Sequence, residues 1–162
     1  MPSMAGDRVG DFGFGTGAYT RAIHARLGQE GSVYAFEVFP PHVDALHREC
    51  VSANARNLFP LYADLNSSIP LQDSFLHTSI VANTLHALTR RERFLSELHR
   101  VLRPKGRVLF VDWASSFKNI GPSEEAVISP GDAVRLFKAH GFGTGDMLPA
   151  GTHHYAFIAT KQ

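Results

Sequence analysis

Arg8-Val9-Gly10-Asp11-Phe12-Gly13-Phe14-Gly15-Thr16-Gly17 opens as a short strand-like run and ends with a glycine at every second position. Glycine turns a chain tightly and lets backbone N–H groups come close to a ligand. Ala18 to Leu27 then spaces its apolar residues as a helix does and stops at Gly28. Strand, tight turn and helix are the first part of a strand-helix-strand unit, and a polar ligand is expected at the turn. The turn alone does not name that ligand, because Gly13, Gly15 and Ala18 also satisfy the G-x-G-x-x-G/A pattern of dinucleotide sites.

Working outward, Ser32 to Glu37 (SVYAFE) reads as a second strand, and Pro40 with Pro41 opens a helix predicted to reach about Arg56. Leu58 to Ala63 is a third strand, ending at Asp64, and Phe75 to Asn83 holds a fourth. Thr89 and Glu92 form the Thr-x-x-Glu pattern of a capping box, followed by Phe94, Leu95, Leu98, Val101 and Leu102 on one helix face. Pro104-Lys105-Gly106 turns that helix into Arg107 to Asp112, whose VLFV centre is the continuous apolar run of a strand covered on both faces. Trp113 to Ile128 reads as a long loop. Ser129, Pro130 and Asp132 then start a helix that runs from Asp132 to His140, and Phe142 to Leu148 with His154 to Thr160 suggest a closing hairpin. Strands alternating with helices give an α/β domain with a parallel sheet and right-handed crossovers.

Several polar residues fall where the strands end. Glu37 lies twenty residues past Gly17, where a carboxylate can accept from both hydroxyls of an adenosine ribose. Asp64 is the next polar group along the same carboxyl edge, the edge at which ligands bind in open α/β sheets.

Composition narrows the classes. At 162 residues one domain, spanning 1–162, is large enough to bury a core, and 44% hydrophobic with 19% charged residues is ordinary globular usage. With a net charge of +1 and no basic stripe, nucleic acid is not expected as a partner. Arg90, Arg91 and Arg93 share their stretch with Glu92 and Glu97 and read as a solvated face. The single cysteine, Cys50, fits a reducing compartment, and with neither a signal-peptide core nor a membrane-length apolar run the expected location is cytoplasmic. His42 and His47, and the adjacent His153 and His154, lack metal-ligand spacing, so no metal is expected.

The stretch Arg8 to Gly17 resembles the first motif of the class I S-adenosylmethionine-dependent methyltransferases. Glu37, Asp64 and Val81-Ala-Asn-Thr-Leu-His86 fall where the later motifs belong. Leu98-His-Arg-Val-Leu-Arg-Pro-Lys-Gly-Arg-Val-Leu-Phe-Val-Asp112 is similar to the family's turn into the fifth strand, especially in the ubiquinone/menaquinone-biosynthesis-like (type 11) branch. The resemblance covers essentially Arg8 to Lys161. It implies a Rossmann-like three-layer sandwich with a seven-stranded, mostly parallel sheet of order 3-2-1-4-5-7-6, strand 7 antiparallel. Relatives carry helices ahead of the first strand that are absent or reduced here.

The resemblance also implies site roles. Asp11, Gly13, Gly15 and Gly17 would surround the methionine part of S-adenosylmethionine, Glu37 would hold the ribose, and Val38 would lie against the adenine. Asp64 would accept from the adenine amino group with Leu65 beside it, and Asn83 would lie under the methionine moiety. The expected activity is direct methyl displacement onto a small-molecule acceptor, leaving S-adenosylhomocysteine. If the acceptor must lose a proton, His86 is the candidate general base, because it follows the fourth strand at the carboxyl edge. Asp112 ends the fifth strand on that edge and is read as a substrate or loop-anchoring group. Trp113, Phe117 and Tyr155 are candidate pocket walls. A homo-oligomer is left open. The alternatives are an NAD-dependent oxidoreductase, from the ambiguity of the glycine turn, and a non-catalytic cofactor-binding protein.

Overall fold

Strands and helices alternate along a chain whose computed structural model describes residues 6–118 and 120–162. In chain order they are β1 (Arg8–Phe12), α1 (Ala18–Leu27), β2 (Ser32–Glu37), α2 (Pro40–Ser52), β3 (Leu58–Tyr62) and β4 (Leu76–Ala82). After a single 3-10 turn (Leu85–Ala87) come α3 (Arg91–Val101), β5 (Leu102–Trp113), α4 (Pro130–Ala139), β6 (Phe142–Leu148) and β7 (His154–Lys161). The sheet order is β3-β2-β1-β4-β5-β7-β6. β1 to β5 pair in parallel, and β7 runs antiparallel to β5 and β6. Order and strand direction agree with the expectation, and the consequence for function is geometric: Phe12, Glu37, Tyr62, Ala82 and Trp113 all end on one edge.

Two apolar layers hold the sheet between its helices. Alternate strand residues point to opposite faces. Phe12, Phe36, Val81, Phe110 and Phe157 meet Phe94, Leu95 and Leu98 of α3 and Phe137 of α4. On the other face Val9, Val33, Ala35 and Ile80 meet Ile23 and Leu27 of α1 and Leu46 and Cys50 of α2. Phe12 and Phe36 stack with ring centroids 4.9 Å apart, which fixes the ends of β1 and β2 beneath the site. Burying one such side chain contributes about 1.5–3 kcal/mol.

Four local expectations change. α2 stops at Ser52 rather than near Arg56, because Ala53 caps it and Asn54 turns left-handed at φ 52°. The Thr89 capping box does not form. Arg90 is the residue ahead of α3 and makes no side-chain cap, while Asn66, reaching across from the turn after β3, accepts from Thr89 N, Thr89 Oγ1 and Arg90 N through Oδ1. β5 begins at Leu102, which pairs with Leu76 ahead of a register shift at the Pro104-Lys105-Gly106 turn. Finally, of the arginines at the start of α3, Arg90 and Arg93 are exposed as expected of a solvated face, whereas Arg91 is half-buried. Arg91 donates to the carbonyls of Leu85, His86 and Ala126, and Arg93 to that of Ser67. The start of α4 follows the sequence: Ser129 Oγ accepts from Asp132 N at 3.1 Å. Among the described residues no helix is long and apolar enough to cross a membrane.

Candidate functional site

The loop between β1 and α1 is built around left-handed glycines, with φ 74° at Gly13, 55° at Gly15 and 84° at Gly17. They differ in surroundings. A Cβ on Gly13 would collide with the Thr84 side chain, whose hydroxyl donates to Phe12 O at 2.9 Å. A Cβ on Gly15 would meet nothing within 4 Å. Gly13 therefore serves close packing of the loop on the β4 turn, and Gly15 faces open space at the carboxyl edge.

Glu37 joins that loop to the next one. Its Oε2 accepts from Gly15 N at 2.9 Å, and its Oε1 from Val38 N at 2.8 Å and Phe39 N at 3.0 Å. Of the carboxylate's roughly four lone-pair sites three are thus filled, and Oε2 keeps one for a further donor such as a hydroxyl. The bond also discriminates between ligands. A pyrophosphate on a glycine loop needs free backbone N–H groups, yet Gly13 N and Phe14 N donate to Phe36 O, Gly17 N to Phe14 O, and Gly15 N to a carboxylate. At Gly15 itself an anion would meet a spent donor and like charge. A cationic ligand with hydroxyls suits the position.

Two further carboxylates share this edge. Asp11 is 2% exposed and accepts from Thr20 Oγ1 at 2.6 Å. Burial pushes its carboxyl up from 3.8 to about 6; the Thr20 hydroxyl pulls it back, and the Glu37 charge adds to the rise. Asp64 is exposed, with Oδ1 accepting from Asn66 N at 2.9 Å. Val38 is 51% exposed, and Phe39 and Tyr62 also offer apolar surface beside Glu37, as a flat heterocycle requires. Leu65 is 6% exposed and its side chain belongs to the core.

Asn83 is exposed, left-handed at φ 53°, and anchored by its N–H to Val111 O at 2.9 Å. It lines a cavity of about 380 Å³ with Tyr19 of α1, Val111 and Leu109 of β5, and Leu148, Pro149, Ala150 and His154 of the β6–β7 hairpin. Asp112 is 1% exposed and holds His86: Oδ1 lies 2.7 Å from His86 Nδ1 and accepts from Trp113 N, while Oδ2 accepts from His86 N. The sequence candidates His86 and Asp112 are thus brought together, but His86 lines a different groove, with residues 87–93 and Leu136, that shares no wall with the cavity of Asn83. Tyr155 is core, donating to Ile128 O, whereas Trp113 and Phe117 sit against His154 and His153. Sequence reasoning missed Thr20, Thr84, Asn66 and His154. Only Thr20 carried a signal, a polar residue on the buried face of α1.

Comparison with known proteins fits this geometry. The methyltransferase-domain family pattern matches residues 10–110. The ubiquinone/menaquinone biosynthesis C-methyltransferase UbiE of Neisseria meningitidis serogroup C is 28% identical over 113 residues, covering 70% of this chain and 45% of the relative. The chain therefore spans less than half the length of the curated relatives it matches. A SAM-dependent methyltransferase from Aquifex aeolicus superposes with a TM-score of 0.87 at 28% identity, over 96% of this chain and 82% of that one. The cyclase SpnF, at 14% identity and a TM-score of 0.85 over 97% of this chain and 75% of its own, shares the fold alone.

Proposed function

Because this chain belongs to the methyltransferase-domain family, in its class I, S-adenosylmethionine-dependent and UbiE-like branch, we propose that it transfers the cofactor's methyl group directly to a small-molecule acceptor. The observation that carries this reading is the Glu37–Gly15 bond, which sets a carboxylate against the glycine loop and leaves one acceptor site on Oε2 for a ribose hydroxyl. Gly15 gives the methionine part room, Asp11 and Glu37 supply negative potential for a cation, Val38 offers a face for the adenine, and Asp64 an acceptor for its amino group. Asn83 closes the site from β4.

S-adenosylmethionine brings a sulfonium methyl open to in-line displacement, so no covalent enzyme intermediate is needed. The protein's task is to align the acceptor and exclude water, and orientation can supply about 7–11 kcal/mol of the barrier. In this proposal Asp112 acts through His86 as a positioning residue, tying the turn that carries Asn83 to the end of β5.

Titration calorimetry with S-adenosylmethionine, S-adenosylhomocysteine and NAD tests the cofactor, and transfer of labelled methyl to small phenols, amines and thiols tests the reaction. The first two ligands are expected to bind and NAD to give no heat. Preferential NAD binding overturns the reading. Cofactor binding without transfer to any acceptor makes the chain a cofactor-binding protein instead.

A further inference from the structure

On one face of the sheet α1 and α2 pack over β2 and β3, and beyond α1 lies a trough floored by the next strands. Ile80 of β4 pairs with Leu109 of β5, and Leu109 with Ile158 of β7, so the three stand side by side on that floor. Tyr19 of α1 forms one bank and Leu148 of β6 the other; they are 43% and 41% exposed, so both banks offer apolar surface to solvent. The cavity of about 330 Å³ between them shares Tyr19, Leu109 and Leu148 with the cavity of about 380 Å³ that reaches Asn83, and the two make one trough. Its ends differ. Asn83 precedes Thr84, which packs on Gly13, so that end adjoins the glycine loop. At the other end stand Arg26, in the last turn of α1, and Arg107, which pairs with Thr78 at the start of the trough's floor. Both arginines are exposed, and neither takes part in the ion pairs found among the described residues. No carboxylate lines either cavity. Arg107 lies four residues before Val111 on β5, which sets the cations about 13 Å from the Asn83 end.

We propose that this trough holds the body of the methyl acceptor, an extended alkyl chain whose carboxylate is taken by Arg26 and Arg107 while its other end reaches Asn83. This rests on the methyltransferase reading above for the word acceptor, though not for the ligand chemistry, which stands on the walls. An aliphatic floor favours an apolar body, and an open groove that runs along a strand favours a long, narrow one. Arg26 and Arg107 are the cations that line it, and guanidinium groups pair with carboxylates through two parallel hydrogen bonds. A cationic amphiphile would meet like charge at that end and no compensating carboxylate. A second copy seated face to face on the same surface would bring the two arginines of each protomer toward those of its partner, again without a lining carboxylate to meet them.

Titration calorimetry with decanoate, decylammonium and butanoate tests this on wild type, Arg26→Gln, Arg107→Gln and the double variant. Wild type is expected to bind decanoate about tenfold or more tightly than decylammonium, from the charge, and than butanoate, from the chain. Each single variant should lose part of the preference over decylammonium and the double variant all of it, with decylammonium binding no more weakly than before. Both arginines are exposed, so these changes leave the core in place. Equal affinities for decanoate and decylammonium in wild type, or an undiminished preference in the double variant, overturn the inference. So does sedimentation that shows a dimer to which decanoate does not bind, since a second copy would then cover the face. Decanoate is titrated again with S-adenosylhomocysteine at saturation, where its binding should persist; displacement by that ligand overturns the placement of the acceptor beside the cofactor. Failure of S-adenosylhomocysteine itself to bind sinks the methyltransferase reading and leaves the decanoate comparison to judge the trough.

Discussion

The Thr84 side chain occupies the space that a Cβ on Gly13 would need, and its hydroxyl is bonded to the carbonyl of Phe12. Gly13→Ala therefore combines left-handed strain, about 1–2 kcal/mol, with displacement of a buried hydrogen bond worth about 1 kcal/mol. Gly15→Ala meets the strain alone, since nothing stands in its way. Urea unfolding should show Gly13→Ala as the larger loss of stability. S-adenosylhomocysteine calorimetry should show Gly15→Ala, the milder substitution for the fold, as a clear loss of affinity, because its methyl enters the ligand's space. Equal stability losses would contradict this division of labour.

Glu37→Ala removes the acceptor of three backbone N–H groups as well as the proposed ribose contact. Charge-assisted bonds of this kind are worth about 1.5–3 kcal/mol, so S-adenosylmethionine binding should weaken by about ten- to a hundredfold. Glu37→Gln retains one acceptor oxygen and should fall between. Unchanged affinity in a folded Glu37→Ala variant would take the residue out of the site.

Asn66 gathers the two free N–H groups ahead of α3, those of Thr89 and Arg90, on one side-chain oxygen. Losing the acceptor for these groups, which anchors the turn leading into α3, costs about 1 kcal/mol. Asn66→Ala should lower the thermal midpoint more than Thr89→Val does, since the threonine hydroxyl is only a third donor to the same oxygen. The reverse ranking would reinstate the capping box.

These residues also mark the limit of what the sequence discloses. The strand order and the placement of Gly15 and Glu37 on one edge were legible, because hydrophobic period, glycine turns and right-handed crossovers are local signals that combine in few ways. The anchor of the turn before α3 was not: Asn66 lies 23 residues from Thr89, and the local Thr-x-x-Glu pattern forms no capping box. Leu65, which the resemblance places beside Asp64, turns its side chain into the core, so any contact it makes at that edge is through its backbone.

Asp112 satisfies the His86 ring, the His86 N–H and the Trp113 N–H from a site 1% exposed. Asp112→Ala strands all three donors and should cost about 3 kcal/mol or more, measured by chemical unfolding. Asp112→Asn keeps an acceptor oxygen and should cost less. If the pair only positions the turn, His86→Gln should retain methyl transfer to within a few-fold. A loss of about a hundredfold or more, with stability intact, would instead make His86 the general base.

The buried carboxyl of Asp11 gives the fold a pH dependence of unusual sign. Its native value, about 6, lies above the ordinary 3.8 because burial opposes ionisation. Below about pH 4 both folded and unfolded chains hold the proton, and Asp11 costs nothing. Between 4 and 6 the unfolded chain releases it while the native one keeps it, so this residue's contribution to stability falls as pH rises. Above 6 the full penalty, about 3 kcal/mol for a shift of roughly two units, is in place. Asp11→Asn cannot ionise and keeps an oxygen to accept from Thr20. Its stability relative to wild type should climb between pH 4 and 6 and then level off, a difference that cancels the opposite trend of the paired carboxylates Glu49 and Glu97, which titrate low in both proteins. A difference that is flat over that interval would mean that Asp11 ionises as it does in water, and that the carboxyl edge is wetter than its packing indicates.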